Sequence, residues 1–160
     1  MKKAPRQPRG SKPGLWRCPR CGRSFARRHQ FHFCASQRPF EDHFAGKPPG
    51  LKLLFARLLE EVQACGPVTV LSEKTRIAFH ARMSFMAVTV QRAALRGHFV
   101  LAERRIHPRF LRIDTLSRGN HVHHFRLRGS KEIDGEFVEW IRAAYAVGQQ
   151  RHRRRHRAND

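Results

Sequence analysis

The chain has 160 residues, 40% of them hydrophobic, which is enough for one domain with a packed core and a small accessory element. Its 33 Lys and Arg residues against 12 acids give a formal net charge of +21, which favours a polyanionic partner such as nucleic acid. No apolar run approaches the roughly 18 residues of a membrane helix, and the basic start lacks the apolar stretch of a secretory signal. We therefore expect a cytoplasmic protein with reduced thiols and no membrane partner.

Most of the excess positive charge lies at the two ends of the chain. Residues 1–37 carry ten Lys or Arg and no acid, and residues 149–160 carry five Arg and one acid. Residues 38–148 carry 18 bases against 11 acids, so the centre is only moderately basic. We predict that residues 1–14 and 149–160 are disordered basic arms, because neither has the apolar side chains that a packed core needs.

Residues 15–37 contain three of the four cysteines. Cys18 and Cys21 are three apart and Gly22 follows, a spacing typical of a zinc knuckle, in which a tight turn directs both thiolates at one ion. A tetrahedral site needs two further ligands, and a second pair lies downstream. We predict a structural Zn²⁺ site of three thiolates and one imidazole, formed by Cys18, Cys21, His32 and Cys34.

The fourth zinc ligand has a second candidate, because His29 also lies at a usual spacing from Cys34. Four protein ligands would leave no open position for water, so we expect no hydrolytic chemistry at this metal. Trp16 and Phe25 are predicted to pack around the ion, since so short an element cannot bury a core unaided.

The segments after the zinc element predict a helix and then a sheet. Residues 38–50 are predicted to be a linker, because they end in Pro-Pro-Gly. Apolar side chains at intervals of three and four predict an amphipathic helix over 51–65. Six short runs with period two follow, too close together for crossover helices, and they predict an antiparallel meander with strands at 68–71, 76–80, 85–90, 95–102, 110–115 and 121–127.

The helical period returns in residues 130–148. Ser130 is the predicted N-cap, acids in the first turns suit the helix dipole, and Gly148 is the predicted stop. Gly135 inside such a helix would cost about 1 kcal/mol relative to alanine. The predicted fold class is therefore α+β: a small zinc-binding element, then a domain over 51–148 with a helix, an antiparallel sheet of five or six strands and a second helix. Both helices are expected to cover one face of the sheet.

Several short motifs between residues 55 and 148 match those of a known family. They are Cys-Gly-Pro-Val at 65–68, Ile-Ala-Phe at 77–79, Phe-Met-Ala-Val at 85–88, His-His-Phe-Arg-Leu at 123–127 and the helix at 134–145. In these motifs the chain resembles a bacterial domain of unknown function, number 5655. The resemblance implies a compact α+β domain and transfers no activity. Some members are preceded by an element similar to residues 16–25 that ends in His-Phe-Cys, as at 32–34, which favours His32 over His29.

The zinc element and the basic arms together predict a non-catalytic, nucleic-acid-associated protein. The predicted phosphate contacts are Arg17, Arg20, Arg23, Arg27, Arg28, Arg153, Arg154 and Arg155. The alternative is a protein- or ligand-binding module with incidental charge, whose site would lie on the open sheet face near the strand of His121, His123 and His124. An enzyme would need those histidines to converge with Glu103 or Asp114, and we expect no catalysis.

Overall fold

The computed structural model describes residues 14–25, 28–29 and 38–151. An N-terminal hairpin is formed by β1 (Trp16–Arg17) and β2 (Ser24–Phe25). The main domain has helix α1 (Pro49–Ala64), six strands and helix α2 (Gly135–Gly148). The strands are β3 (Thr69–Ser72), β4 (Ile77–His80), β5 (Ser84–Val90), β6 (Leu95–Leu101), β7 (Arg112–Ser117) and β8 (Asn120–Leu127). Most of the two predicted basic arms lies outside the described residues.

The six strands form one antiparallel sheet in the order β3-β4-β5-β6-β8-β7, which confirms the predicted α+β class. The order differs from a simple meander at one place, because β8 and not β7 pairs with β6. The segment 102–111 is long enough to carry the chain from β6 past the position that β8 occupies and on to β7 at the edge of the sheet. The β7–β8 hairpin, closed by a turn with Gly119 at φ +85°, then places β8 inside and β7 at the edge.

Both helices pack on the same face of the sheet. Phe79, Met86 and Phe99 pair across β4, β5 and β6 and form one buried row on that face. The helices contribute their apolar stripes, Leu51, Leu54, Phe55, Leu58 and Val62 from α1 and Phe137, Trp140, Ile141, Ala144 and Tyr145 from α2. Within the described part of the chain, no helix has the length and apolar character needed to cross a membrane.

The segment 38–50, predicted to be a linker, is part of the packed domain. The ring of Phe40 lies 5.0 Å from that of Phe55, and Phe44, which is 8% exposed, lies 5.6 Å from the same ring. Helix α1 also begins inside the predicted linker, at Pro49. A proline is compatible with the first turn of a helix because the N–H that it lacks would have no intrahelical partner there.

Helix α2 begins later than the sequence suggests. Its N-cap is Asp134, whose Oδ1 accepts a hydrogen bond of 2.9 Å from the Phe137 N–H, and not Ser130. Ser130–Glu132 form a separate 3-10 turn. Gly135 is therefore the first helical residue, where glycine costs less than in a helix interior.

Candidate nucleic-acid interface

The turn between β1 and β2 carries the first two predicted zinc ligands. The N–H of Cys18 donates to the carbonyl of Arg23 at 2.8 Å, and the N–H of Gly22 donates to the carbonyl of Cys18 at 2.9 Å. Gly22 has φ +71°, a conformation that favours glycine. Cys18 is buried and Cys21 half-buried. This tight turn fits a zinc knuckle, because it carries the two cysteines on one short loop.

The other predicted ligands, His32 and Cys34, lie outside the described residues. The rival ligand His29 is exposed, with its ring 5.1 Å from that of Trp16. Across residues 14–25, 28–29 and 38–151, no three His, Cys, Asp or Glu side chains are grouped to hold a metal. His29 thus does not complete a three-ligand set with the two described cysteines, and the full ligand set stays a prediction.

Trp16 and Phe25, the aromatic residues predicted to pack around the metal, are direct partners across the β1–β2 pair. Their ring centroids are 5.9 Å apart. This contact gives the short hairpin an apolar cluster of its own. So small an element has few apolar side chains, so the packing of these two contributes much of its stability.

The predicted phosphate contacts of the hairpin fall into two groups. Arg17 Nε donates to the carbonyl of Gly22 at 3.0 Å, and Arg23 forms an ion pair with Glu73 at 2.7 Å, so both have partners within the protein. Arg20 and Arg28 are exposed. The remaining four predicted contacts, Arg27, Arg153, Arg154 and Arg155, lie outside the described residues.

The sheet face turned away from the helices, here called the open face, has an apolar half and a basic half. The apolar half lies on β3, β4 and β5, where Leu71, Ala78 and Ala87 form a small buried cluster. The hairpin lies beside this half, because Arg23 contacts Glu73 at the end of β3. Burial lowers the pKa of His80, which is on this face, to about 4, and the nearby positive charge of Arg23 adds to the effect.

The basic half of the open face lies on β6, β8 and β7. Arg96 on β6 is directly opposite Arg126 on β8, and both side chains are exposed. In the part of the chain that the structure describes, neither guanidinium has an acidic partner at ion-pair distance. Like charges directly opposite each other in an antiparallel pair are destabilising. Sequence analysis missed this pair because the β6–β8 contact joins segments that are 30 residues apart.

Next to these arginines, His98 is directly opposite His124, with 5.6 Å between the ring centroids. Burial and, to a smaller extent, the proximity of His124 together lower the pKa of His98 to about 4. His124 Nε2 lies 2.8 Å from Asp114 Oδ2, which is also 2.8 Å from Arg112 Nη2. The hydrogen bond from His124, with the charge of Arg112, lowers the pKa of the Asp114 carboxyl.

His123 has a structural role. It is fully buried, its Nε2 accepts a hydrogen bond of 3.0 Å from the Arg105 N–H, and its Nδ1 donates to the carbonyl of His121 at 2.9 Å. This pattern defines the neutral ring with its proton on Nδ1. Burial lowers the pKa of His123, which keeps the ring neutral. The side chain therefore holds the segment after β6 against β8.

The histidines and carboxylates singled out from the sequence converge only in part, because Asp114 meets His124 and the others lie elsewhere. Along β8, His121 and His123 face the helices, whereas His124 faces the open side, because successive strand residues alternate. Asp114 contacts His124 on the open face. Glu103 instead lines a cavity beside His121 on the helix side. The two carboxylates and three histidines are thus divided between opposite faces of the sheet.

Residues 40–148 match the family model of a domain of unknown function (DUF5655). The match covers α1, the whole main sheet and α2, and it begins after the N-terminal hairpin. No curated protein and no solved structure shows a significant match to this chain.

Proposed function

The chain belongs to the DUF5655 family, whose description specifies no activity, and from the charges and contacts of its own surface we propose that it is a non-catalytic nucleic-acid-binding protein. The observation that carries this proposal is the exposed pair Arg96 and Arg126 on the open face. The zinc element and the C-terminal arginines supply further contacts. Binding of this type engages phosphates and does not read base sequence.

Within residues 38–148, most acidic side chains pair with basic ones, so the excess positive charge lies on the arginines and lysines that have no such partner. Nine of the eleven acidic residues between 38 and 148 form ion pairs. Most of these acids lie on or beside the helices, where they pair with arginine, lysine or histidine. In β6, β7 and β8 together the sequence has one acid, Asp114. The open face therefore keeps uncompensated positive charge at Arg96 and Arg126.

A bound phosphate would relieve the repulsion between Arg96 and Arg126. Directly opposite residues in an antiparallel pair have Cβ atoms about 5 Å apart, so both guanidinium groups can reach one phosphodiester. Arginine binds phosphate through two parallel hydrogen bonds and stays charged at every physiological pH. The pair is thus better explained as a polyanion contact than as a stabilising feature of the fold.

The zinc element adds positive charge at another part of the open face, beside its apolar half. The Arg23–Glu73 ion pair holds the hairpin beside the open face, and the exposed Arg20 and Arg28 add positive charge there. A Zn²⁺ held by Cys18, Cys21, His32 and Cys34 would stabilise this loop without taking part in chemistry. Because zinc ligation needs reduced thiolates, we place the protein in the cytoplasm, bacterial as the family resemblance implies.

The test is oligonucleotide binding by the zinc-loaded full chain, followed by fluorescence anisotropy across a salt series. Duplex and single-stranded probes show which strand form is preferred. The variant Arg96→Ala/Arg126→Ala should weaken binding by about tenfold or more. It should reduce the salt slope by about one, because the two arginines are proposed to contact one phosphate and each lost phosphate contact removes nearly one released counterion.

A matched control is Arg57→Ala/Arg142→Ala, which removes the same charge from the two helices, where these arginines pair with Glu61 and Glu139. The control should bind almost as well as the unmodified chain. Equal losses in both variants would mean that only net charge matters, and an affinity insensitive to salt would exclude phosphate binding. Either result would favour the alternative, a protein- or ligand-binding module with incidental charge.

A further inference from the structure

A cavity of about 730 Å³ lies where the end of α2 meets the sheet. Its apolar wall is formed by Leu101 at the end of β6 and by Ala143 and Val147 of α2. This volume falls within the range of about 300–1,000 Å³ that is usual for small-molecule sites. The cavity is on the helix side of the sheet and so does not belong to the open face.

The rest of the cavity lining is strongly basic. Four exposed arginines line it, Arg104, Arg105, Arg118 and Arg151, and its only acid is Glu103. Among the described residues, none of the four guanidinium groups lies at ion-pair distance from a carboxylate. This differs from the helix surfaces, where arginines pair with glutamates. The cavity therefore combines a concave shape with uncompensated positive charge.

Three separate elements bring these arginines together, and the backbone of each is held in place. The fully buried ring of His123 accepts a hydrogen bond from the Arg105 N–H and anchors the segment after β6. Arg118 lies in the tight turn between β7 and β8, next to the buried Gly119. The Arg151 N–H donates to a carbonyl in the last turn of α2 at 3.0 Å. The tertiary fold thus places these arginines, which are distant in sequence, around one cavity.

We propose that this cavity binds a small molecule carrying two or three phosphate groups, of the nucleoside diphosphate or triphosphate class. Such a phosphate chain is compact and highly charged, and the planar guanidinium groups can bind its oxygens in pairs. The half-buried Ala143 and Ala146 of α2 offer an apolar surface for the base and sugar. This site is independent of the proposed nucleic-acid surface, because it lies on the other side of the sheet.

The experiment is isothermal titration of the zinc-loaded full chain at physiological salt with inorganic pyrophosphate, ATP, GTP and adenosine. Pyrophosphate and the triphosphates should bind, and adenosine should bind at least about tenfold more weakly, because the phosphates supply most of the charge-assisted contacts. Stronger binding of ATP or GTP than of pyrophosphate would show that the apolar wall contacts the nucleoside. Pyrophosphate binding as tight as that of the triphosphates would overturn the nucleoside class.

Two double variants test the arginines, and a third controls for net charge. Arg104→Ala/Arg105→Ala and Arg118→Ala/Arg151→Ala should each weaken triphosphate binding by about tenfold or more. The second variant changes two other elements, so a folding defect in the loop after β6 cannot explain both losses. Arg92→Ala/Arg128→Ala removes the same charge at the opposite end of β6 and β8 and should keep the affinity.

The proposal is overturned if no phosphate compound binds at physiological salt, or if the control loses as much affinity as the cavity variants. The oligonucleotide assay separates the two proposed sites. Arg104→Ala/Arg105→Ala should retain oligonucleotide binding that Arg96→Ala/Arg126→Ala loses. If the cavity variant instead loses oligonucleotide binding and triphosphates do not bind, the cavity belongs to the nucleic-acid surface and the small-ligand site is refuted.

Discussion

Arg23 and Glu73 join the N-terminal hairpin to the main sheet through an ion pair with 2.7 Å between Nη2 and Oε1. Their side chains are only 12% and 11% exposed. The second carboxylate oxygen of Glu73 accepts a 2.7 Å hydrogen bond from Arg76 Nε. Arg23, on the hairpin, lies outside the residues that match the family. Glu73 lies within them, directly after β3. The ion pair therefore couples the N-terminal hairpin to the domain.

The variant Arg23→Ala should lower the free energy of unfolding by about 2 kcal/mol, because it leaves a nearly buried carboxylate with one cationic partner fewer. Urea denaturation of the zinc-loaded chain measures this change. Arg20→Ala, an exposed arginine on the same hairpin, is the control and should be nearly neutral. Equal stability of the two variants would show that the ion pair does not hold the hairpin.

Purified protein should contain about one zinc ion per chain, measured by metal analysis after dialysis. Cys18→Ser and Cys21→Ser should each abolish retention, because each removes a thiolate ligand. Cys65→Ser is the matched control, since this cysteine lies at the end of α1 and its thiol donates to the Glu61 carbonyl. Retention of zinc by Cys18→Ser would refute the site.

The fourth zinc ligand can be identified by the same measurement. His32→Ala should lose the metal, and His29→Ala should keep it, because His29 is exposed and its ring packs at a tilt against that of Trp16. The opposite pattern would assign the ligand to His29. Loss in both variants would indicate that the Trp16 contact is itself needed for the site to form.

Gly66→Ala should destabilise the domain by about 1–3 kcal/mol. Gly66 has φ +136°, a conformation that side chains rarely adopt, and a Cβ there would lie 2.5 Å from the Tyr145 hydroxyl oxygen. That hydroxyl donates a hydrogen bond to the carbonyl of Pro67. Gly135→Ala is the control, because a Cβ at the first residue of α2 meets nothing within 4 Å. Thermal unfolding followed by circular dichroism should show a lower Tm for the first variant alone. Equal Tm values would mean that the turn after α1 tolerates a side chain.

The stability of the protein should fall as the pH drops from about 6.5 towards 4. Burial, followed by the proximity of His124 and Arg76, lowers the pKa of His98 to about 4. In this window the unfolded chain binds a proton that the folded chain does not, so acid favours unfolding. His98→Gln removes this contribution and should flatten the dependence of unfolding free energy on pH. The flattening should be partial, because the pKa of His80 is also lowered to about 4. Parallel profiles for the two proteins would show that His98 makes no such contribution.

Strand positions could be read from the sequence because each strand carries its own alternation. The predicted strand at 121–127 corresponds to Asn120–Leu127, and that at 95–102 to Leu95–Leu101. The start of α2 was misjudged for a local reason. Ser130 and Asp134 are both good capping residues, and the hydrogen bond from the Phe137 N–H decides between them.

The tight turn between β1 and β2 could also be predicted from the sequence. Cys18, Cys21 and Gly22 lie within one short loop, and their spacing is typical of such a turn. The other two predicted zinc ligands lie outside the described residues, so that part of the site stays a prediction. The predicted linker at 38–50 differs from the structure, because Pro-Pro-Gly is typical of a break whereas the packing of Phe40 and Phe44 on Phe55 depends on the tertiary fold.

The sequence by itself determined the α+β class, the approximate positions of the helices and strands, and the tight turn at Cys18–Gly22. Each of these follows from residues close together in the chain. Only the tertiary structure decided that β8 inserts beside β6, which brings Arg96 opposite Arg126 and divides the histidines between two faces. It also decided that arginines from three distant segments line one cavity. The physical reason is that periodicity shows which side chains are buried, whereas pairing depends on how distant elements pack on one core.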